Sequence, residues 1–158
     1  VCEYIEEEYG HEQWILNDIS ACGGDADAVR DGQPSLPIEL MVGFLYDLIA
    51  RGNPVGLFGM VNVLEGTSIA LATQAANTIQ TRLQLPDTAF SYLASHGALD
   101  IGHMDTYREL MNGLQDPADK AAVIHASKVV YHLYTEMFRG LPRTQAEQRV
   151  VEVQHATA

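Results

Sequence analysis

The chain has 158 residues, 47% of them apolar, which suits one domain with a sizeable core and is too short for two. Its formal net charge of −12 leaves no basic stripe for a phosphate backbone, so nucleic acid is set aside as a partner. No run of about 18 uncharged apolar residues occurs, which argues against a membrane-spanning helix.

In chain order, residues from about 1 to 20 read as an amphipathic helix, with Ile5, Tyr9, Trp14 and Ile15 set among charges at helical period. The stretch CGGDADAVRDGQPSLP carries Gly, Asp and Pro and reads as a loop. Pro37 suits the first turn of a second helix, which Gly52 ends. Asn53-Pro54 restarts the chain into a long apolar helix to about Leu85. Asp87 is suited to N-cap a fourth helix reaching about Leu114. Asp116-Pro117 opens a fifth helix to about Gly140, and Thr144 a short last one. No strand pattern and no repeat stands out, so the expected fold class is all-α, in one domain over residues 1–158. The chain opens on Val1 with helical periodicity already running, which predicts that an N-terminal part is missing. Cys2 and Cys22 make no metal-binding spacing, and thiols of a soluble helical enzyme are usually reduced, so a cytoplasmic setting is expected.

Three stretches carry candidate chemistry. In HGALDIGHMDTY, His96, Asp100 and His103 stand at i, i+4 and i+7, within roughly 60° of one another on one helical face. Two imidazoles and a carboxylate in parallel form one half of a transition-metal shell; the bland alternative is a chance pair of histidines on a solvated face. In EEEYGHE, Glu8 and His11 stand at i, i+3 and can reach one point, with Glu7 and His11 nearly as good. A merely solvated acidic face is the competing view. Glu65 lies in a stretch of Val, Leu, Ile, Met and Ala, where an ionised carboxylate is costly unless it is paired or ligating. No Lys or Arg between Arg51 and Arg82 offers it a local partner, and Gly66 beside it would admit a close helix. Assembled, these give three carboxylates and three histidines from three helices, a donor set that suits Fe(II) better than a structural zinc site. Two divalent ions against three carboxylates leave a residual of about +1.

The ferritin-like pattern of two ExxH pairs plus two further glutamates is not met, because His96-x3-Asp100-x2-His103 replaces the second pair. In EEEYGHEQWILNDI, VLEG and SHGALDIGHMD, in that order and spacing, the sequence resembles the haem-oxygenase-like di-iron oxidases and oxygenases, the iron-containing redox enzyme family. The resemblance implies a haem-oxygenase-like helical bundle of about seven helices, of which five or six are legible, so N-terminal helices are expected to be lacking. It implies two Fe(II) ions per chain held by Glu8, His11, Glu65, His96, Asp100 and His103, with Glu7 in reserve for Glu8. It also implies an enzyme that activates O₂ to oxidise a small amino-acid-like or fatty-acid-like substrate. The expected partners are therefore O₂ and a small molecule, with no nucleic acid and no membrane; homodimerisation is left open. Competing functions are a metal-free enzyme like thiaminase II or those of pyrroloquinoline-quinone synthesis, a haem oxygenase, and a non-catalytic helical interaction domain.

His125, His132 and Glu136, at i, i+7 and i+11, share a face of the fifth helix without matching a family motif, and the packing or pocket-lining view of His132 and Tyr131 is preferred. Tyr107, one turn beyond His103, is placed as a pocket-lining residue or a packed one.

Overall fold

The structure is a computed structural model that describes residues 2–142, leaving out the side chains of residues 2, 3 and 97–101. The short helix expected from Thr144 lies outside the described residues. Among these residues there are seven α-helices and no strand: α1 (Cys2–Glu8), α2 (Glu12–Ala21), α3 (Ala26–Arg30), α4 (Leu36–Arg51), α5 (Phe58–Leu83), α6 (Ser91–Gly113) and α7 (Pro117–Arg139).

The first expected helix is two helices. Gly10 has φ of +92°, a left-handed conformation that costs a side-chain-bearing residue and that glycine adopts freely, so the chain turns between α1 and α2. The turn throws Tyr9 into solvent, 87% exposed, rather than onto the apolar face. The expected loop contains one helical turn, α3, whose N-terminus is capped by Asp25 accepting from Ala28 N–H at 2.9 Å. Asn53 caps a 3-10 turn over Pro54–Leu57 before α5 begins.

Asp87 does not cap the fourth long helix. It opens a 3-10 turn, Asp87–Ala89, and α6 starts at Ser91. The cap is instead Asp18, from α2. Its buried carboxylate accepts from Ser91 N–H at 3.0 Å, from Tyr92 N–H at 2.9 Å and from the Ser91 hydroxyl. A carboxylate facing the positive end of a helix is favoured by the helix dipole, and here it also ties α2 to α6. Asp116 caps α7 as expected, accepting from Ala118 N–H at 2.8 Å.

Helix α5 is central, with α6 along one side and α7 along the other; α4 packs on α7. Val61 and Val63 of α5 and Val123, Ala126 and Val130 of α7 are buried. The crossing of α5 and α7 depends on Gly59, not on Gly66. A Cβ at Gly59 would stand 2.5 Å from Val123 O and 2.6 Å from Ser127 N, whereas one at Gly66 would meet open space. By length and mean hydropathy, 1.5 over its most apolar window, Pro54–Leu83 could cross a membrane. Buried Glu65 near its middle and its packing against α6 and α7 mark it as the core helix of a bundle.

Candidate metal centre

Five of the six expected ligand residues converge where α1, α2, α5 and α6 meet. Glu8 ends α1, His11 stands just before α2, Glu65 lies two turns into α5, and His96 and His103 stand two turns apart on α6. Asp100 lies between them on the α6 backbone, and its side chain is outside the described residues.

Glu8 is the hub. Its Oε2 lies 3.0 Å from His11 Nδ1 and 3.7 Å from His96 Nε2, and its Oε1 lies 3.4 Å from His103 Nδ1. Glu65 Oε1 lies 3.7 Å from the same His103 nitrogen. The donors thus fall into two groups, Glu8–His11–His96 and Glu8–Glu65–His103, in each of which all donor atoms lie within 4.8 Å of one another. Ligands at about 2.0–2.2 Å from one ion stand about 3.0–3.4 Å apart along a coordination edge. The four separations given above are at that length or a few tenths of an ångström beyond it, and the remaining donor pairs lie within 4.8 Å, so side-chain shifts of up to about an ångström would close each group around an ion. Glu65 is 5% exposed, so the donor set includes a carboxylate withdrawn from water, which a divalent cation would stabilise. On these observations the residues fit a metal.

Aromatic contacts hold the imidazoles. His11 stacks on Trp14 with centroids 4.0 Å apart, His96 lies 4.0 Å from Tyr92, and the two imidazoles meet edge to face at 4.9 Å. His96 Nδ1 lies 3.0 Å from Tyr92 O. A carbonyl can only accept, so the proton is on Nδ1 and the Nε2 lone pair faces Glu8. This ties the site to the Asp18 cap, since Tyr92 is one of the residues whose N–H that carboxylate holds.

Beside the second group opens a cavity of about 410 Å³, lined by Glu65, His103, Phe58, Val61 and Leu110 with Tyr4, Glu7, Thr106 and Tyr107 around them. Its described lining contains no Lys or Arg. Of the two readings of Tyr107, the structure has it lining the cavity, and burial pushes its phenol above the ordinary value.

The constellation on α7 does not assemble. His125 and His132 are exposed, His125 lying edge-on to Phe44, and Glu136 pairs with Arg139 at 2.7 Å. Tyr131 is 60% exposed rather than packed. Cys22 is free and exposed. Sequence reasoning missed Asp18, Trp14 and Tyr92. The available signal was that Trp14 and Asp18 follow His11 at i+3 and i+7, which placed a carboxylate on the inward face of that helix.

An all-α bundle with a carboxylate and imidazole cluster between its helices defines a class, and comparison with known proteins specifies it. The structure of a domain of unknown function with a heme oxygenase-like fold from Shewanella denitrificans superposes with a TM-score of 0.77 at 24% identity. The match covers 85% of this chain and 58% of that one, so the chain spans a little under three-fifths of that chain's length. The fold is haem-oxygenase-like. The model of a family described as iron-containing redox enzyme matches residues 1–135, and the chain belongs to that family. No curated protein matches it.

Proposed function

We propose that the protein is an O₂-activating di-iron oxidoreductase. In this reading Glu8, His11 and His96 would hold one ferrous ion and Glu8, Glu65 and His103 a second, with Asp100 of α6 as the sixth ligand residue. The observation that carries the reading is the division of the Glu8 carboxylate between two groups, Oε2 toward His11 and His96 and Oε1 toward His103. A single ion would need only one of the two groups, and a haem only one of these histidines. The two ions would supply electrons and open positions for O₂.

The chain's own residues do the rest. The Tyr92 carbonyl keeps the His96 proton on Nδ1, so its Nε2 is available as a ligand. Phe58, Val61 and Leu110 give the cavity beside Glu65 and His103 an apolar wall. A small amino-acid-like or fatty-acid-like substrate would occupy that cavity, with Thr106 and Tyr107 as the polar groups that orient it. A reducing cytoplasm suits ferrous iron and the free Cys22 thiol.

The test is iron content per chain after anaerobic Fe(II) loading, followed by oxygen uptake on mixing with air. Two ions per chain are expected, with Glu65→Gln holding fewer and losing oxygen uptake while keeping its helical circular dichroism. If Glu65→Gln loads and reacts as the parent does, the di-iron reading is wrong at its most buried ligand.

A further inference from the structure

Two adjacent glutamates address the same imidazole from opposite sides. His103 presents Nδ1 to Glu8 Oε1 at 3.4 Å and to Glu65 Oε1 at 3.7 Å, while its Nε2 lies 3.1 Å from Glu7 Oε2. Tyr4 abuts the ring edge-on with centroids 5.7 Å apart. Successive residues of α1 point about 100° apart, so Glu7 and Glu8 diverge around the helix and can straddle a ring that enters between them. Glu6, one residue earlier, is exposed.

We propose that Glu7 is a positioning residue for the metal centre, holding the His103 proton on Nε2 so that the Nδ1 lone pair faces the position between Glu8 and Glu65. The inference rests on the metal-centre reading above. An imidazole binds metal through an unprotonated nitrogen, and the partner of its other nitrogen decides which one that is. A carboxylate 3.1 Å from Nε2 is placed to accept its proton, which would select the tautomer, fix the ring about χ2 and make Nδ1 a better donor. Glu7 is 52% exposed on its side chain, so water screens the charge in this pair, and orientation is its main contribution. The lower end of the 10–100-fold range typical of such outer partners, about tenfold in affinity, is therefore expected.

Cobalt(II) titrated anaerobically against a competing chelator, on the full chain and its Glu7→Ala, Glu7→Gln and Glu6→Ala variants, tests this. Affinity is read together with the visible ligand-field bands, which report the ligand geometry and are silent to a merely structural change. Glu7→Ala should bind about tenfold more weakly and shift the bands. Glu7→Gln, whose amide oxygen still accepts from Nε2–H, should regain most of both, and Glu6→Ala should match the parent. Parental affinity and bands in Glu7→Ala would overturn the proposal and make Glu7 a solvated neighbour. Glu7→Gln failing like Glu7→Ala, with one ion fewer per chain, would also overturn it, by making Glu7 itself a ligand. A parent chain that binds no cobalt would bring down the metal-centre reading first, and this inference with it.

Discussion

Replacing Asp18 should unfasten the start of α6 and loosen the candidate metal site with it. The carboxylate accepts three hydrogen bonds, two from the first N–H groups of α6 and one from the Ser91 hydroxyl, and it is buried. Loss of an N-cap alone costs about 1–2 kcal/mol, and hydrogen bonds to a charged group contribute about 1.5–3 kcal/mol each. The three share one carboxylate, and exposed Ser91 can turn to water, so they do not add; about 2–4 kcal/mol is expected for Asp18→Ala. At about 2–4 °C per kcal/mol for a chain of this size, a loss near 3 kcal/mol lowers Tm by about 6–12 °C. Asp18→Asn keeps one acceptor oxygen and turns an amide group toward the other N–H, so it should fall between parent and Asp18→Ala. Urea unfolding followed by circular dichroism measures the loss. Iron affinity should fall as well, because Tyr92 O holds His96 Nδ1 at 3.0 Å. An Asp18→Ala protein within about 0.5 kcal/mol of the parent would refute the reasoning, since the cap would then contribute no more than an ordinary surface side chain.

On the proposed di-iron reading, Glu8→Ala should lose most bound iron whereas Glu6→Ala loses none, because Glu8 faces both donor groups and Glu6 is exposed; equal losses would return the acidic run to a solvated face. Gly59→Ala should destabilise by about 1–3 kcal/mol in urea unfolding, because its Cβ would press on the α7 backbone at Val123 and Ser127; an unchanged midpoint would show that α7 shifts freely. Spectrophotometric titration should find the Tyr107 phenol ionising above its ordinary 10.0. With the folded value raised, the unfolded chain releases this proton first, so stability from this group is intact below about pH 10 and declines above it. Tyr107→Phe should remove that alkaline component, and an identical alkaline decline in both proteins would count against it.

Much of the protein was legible in its residues. Helical periodicity and the capping and terminating residues at Gly52, Asp116 and Pro117 located the long helices to within a few positions, because those signals act within one turn of chain. His96 and His103, two turns apart on α6, had to share a face wherever that helix lay. A carboxylate at Glu65 amid apolar residues had to be buried against something that tolerates its charge. Other features depended on contacts distant in sequence. Gly10 was compatible with a continuous helix, and whether it bends depends on what α1 and α2 pack against. Asp87 had the right chemistry for a cap, but Asp18, more than seventy residues from Ser91, holds that helix start instead. The choice between Glu7 and Glu8 beside His11 could not be made on an ideal helix, where both reach. The turn at Gly10 sets Glu8 between the two donor groups and leaves Glu7 on the outer nitrogen of His103, because side chains from three helices can converge on a point only after those helices have packed.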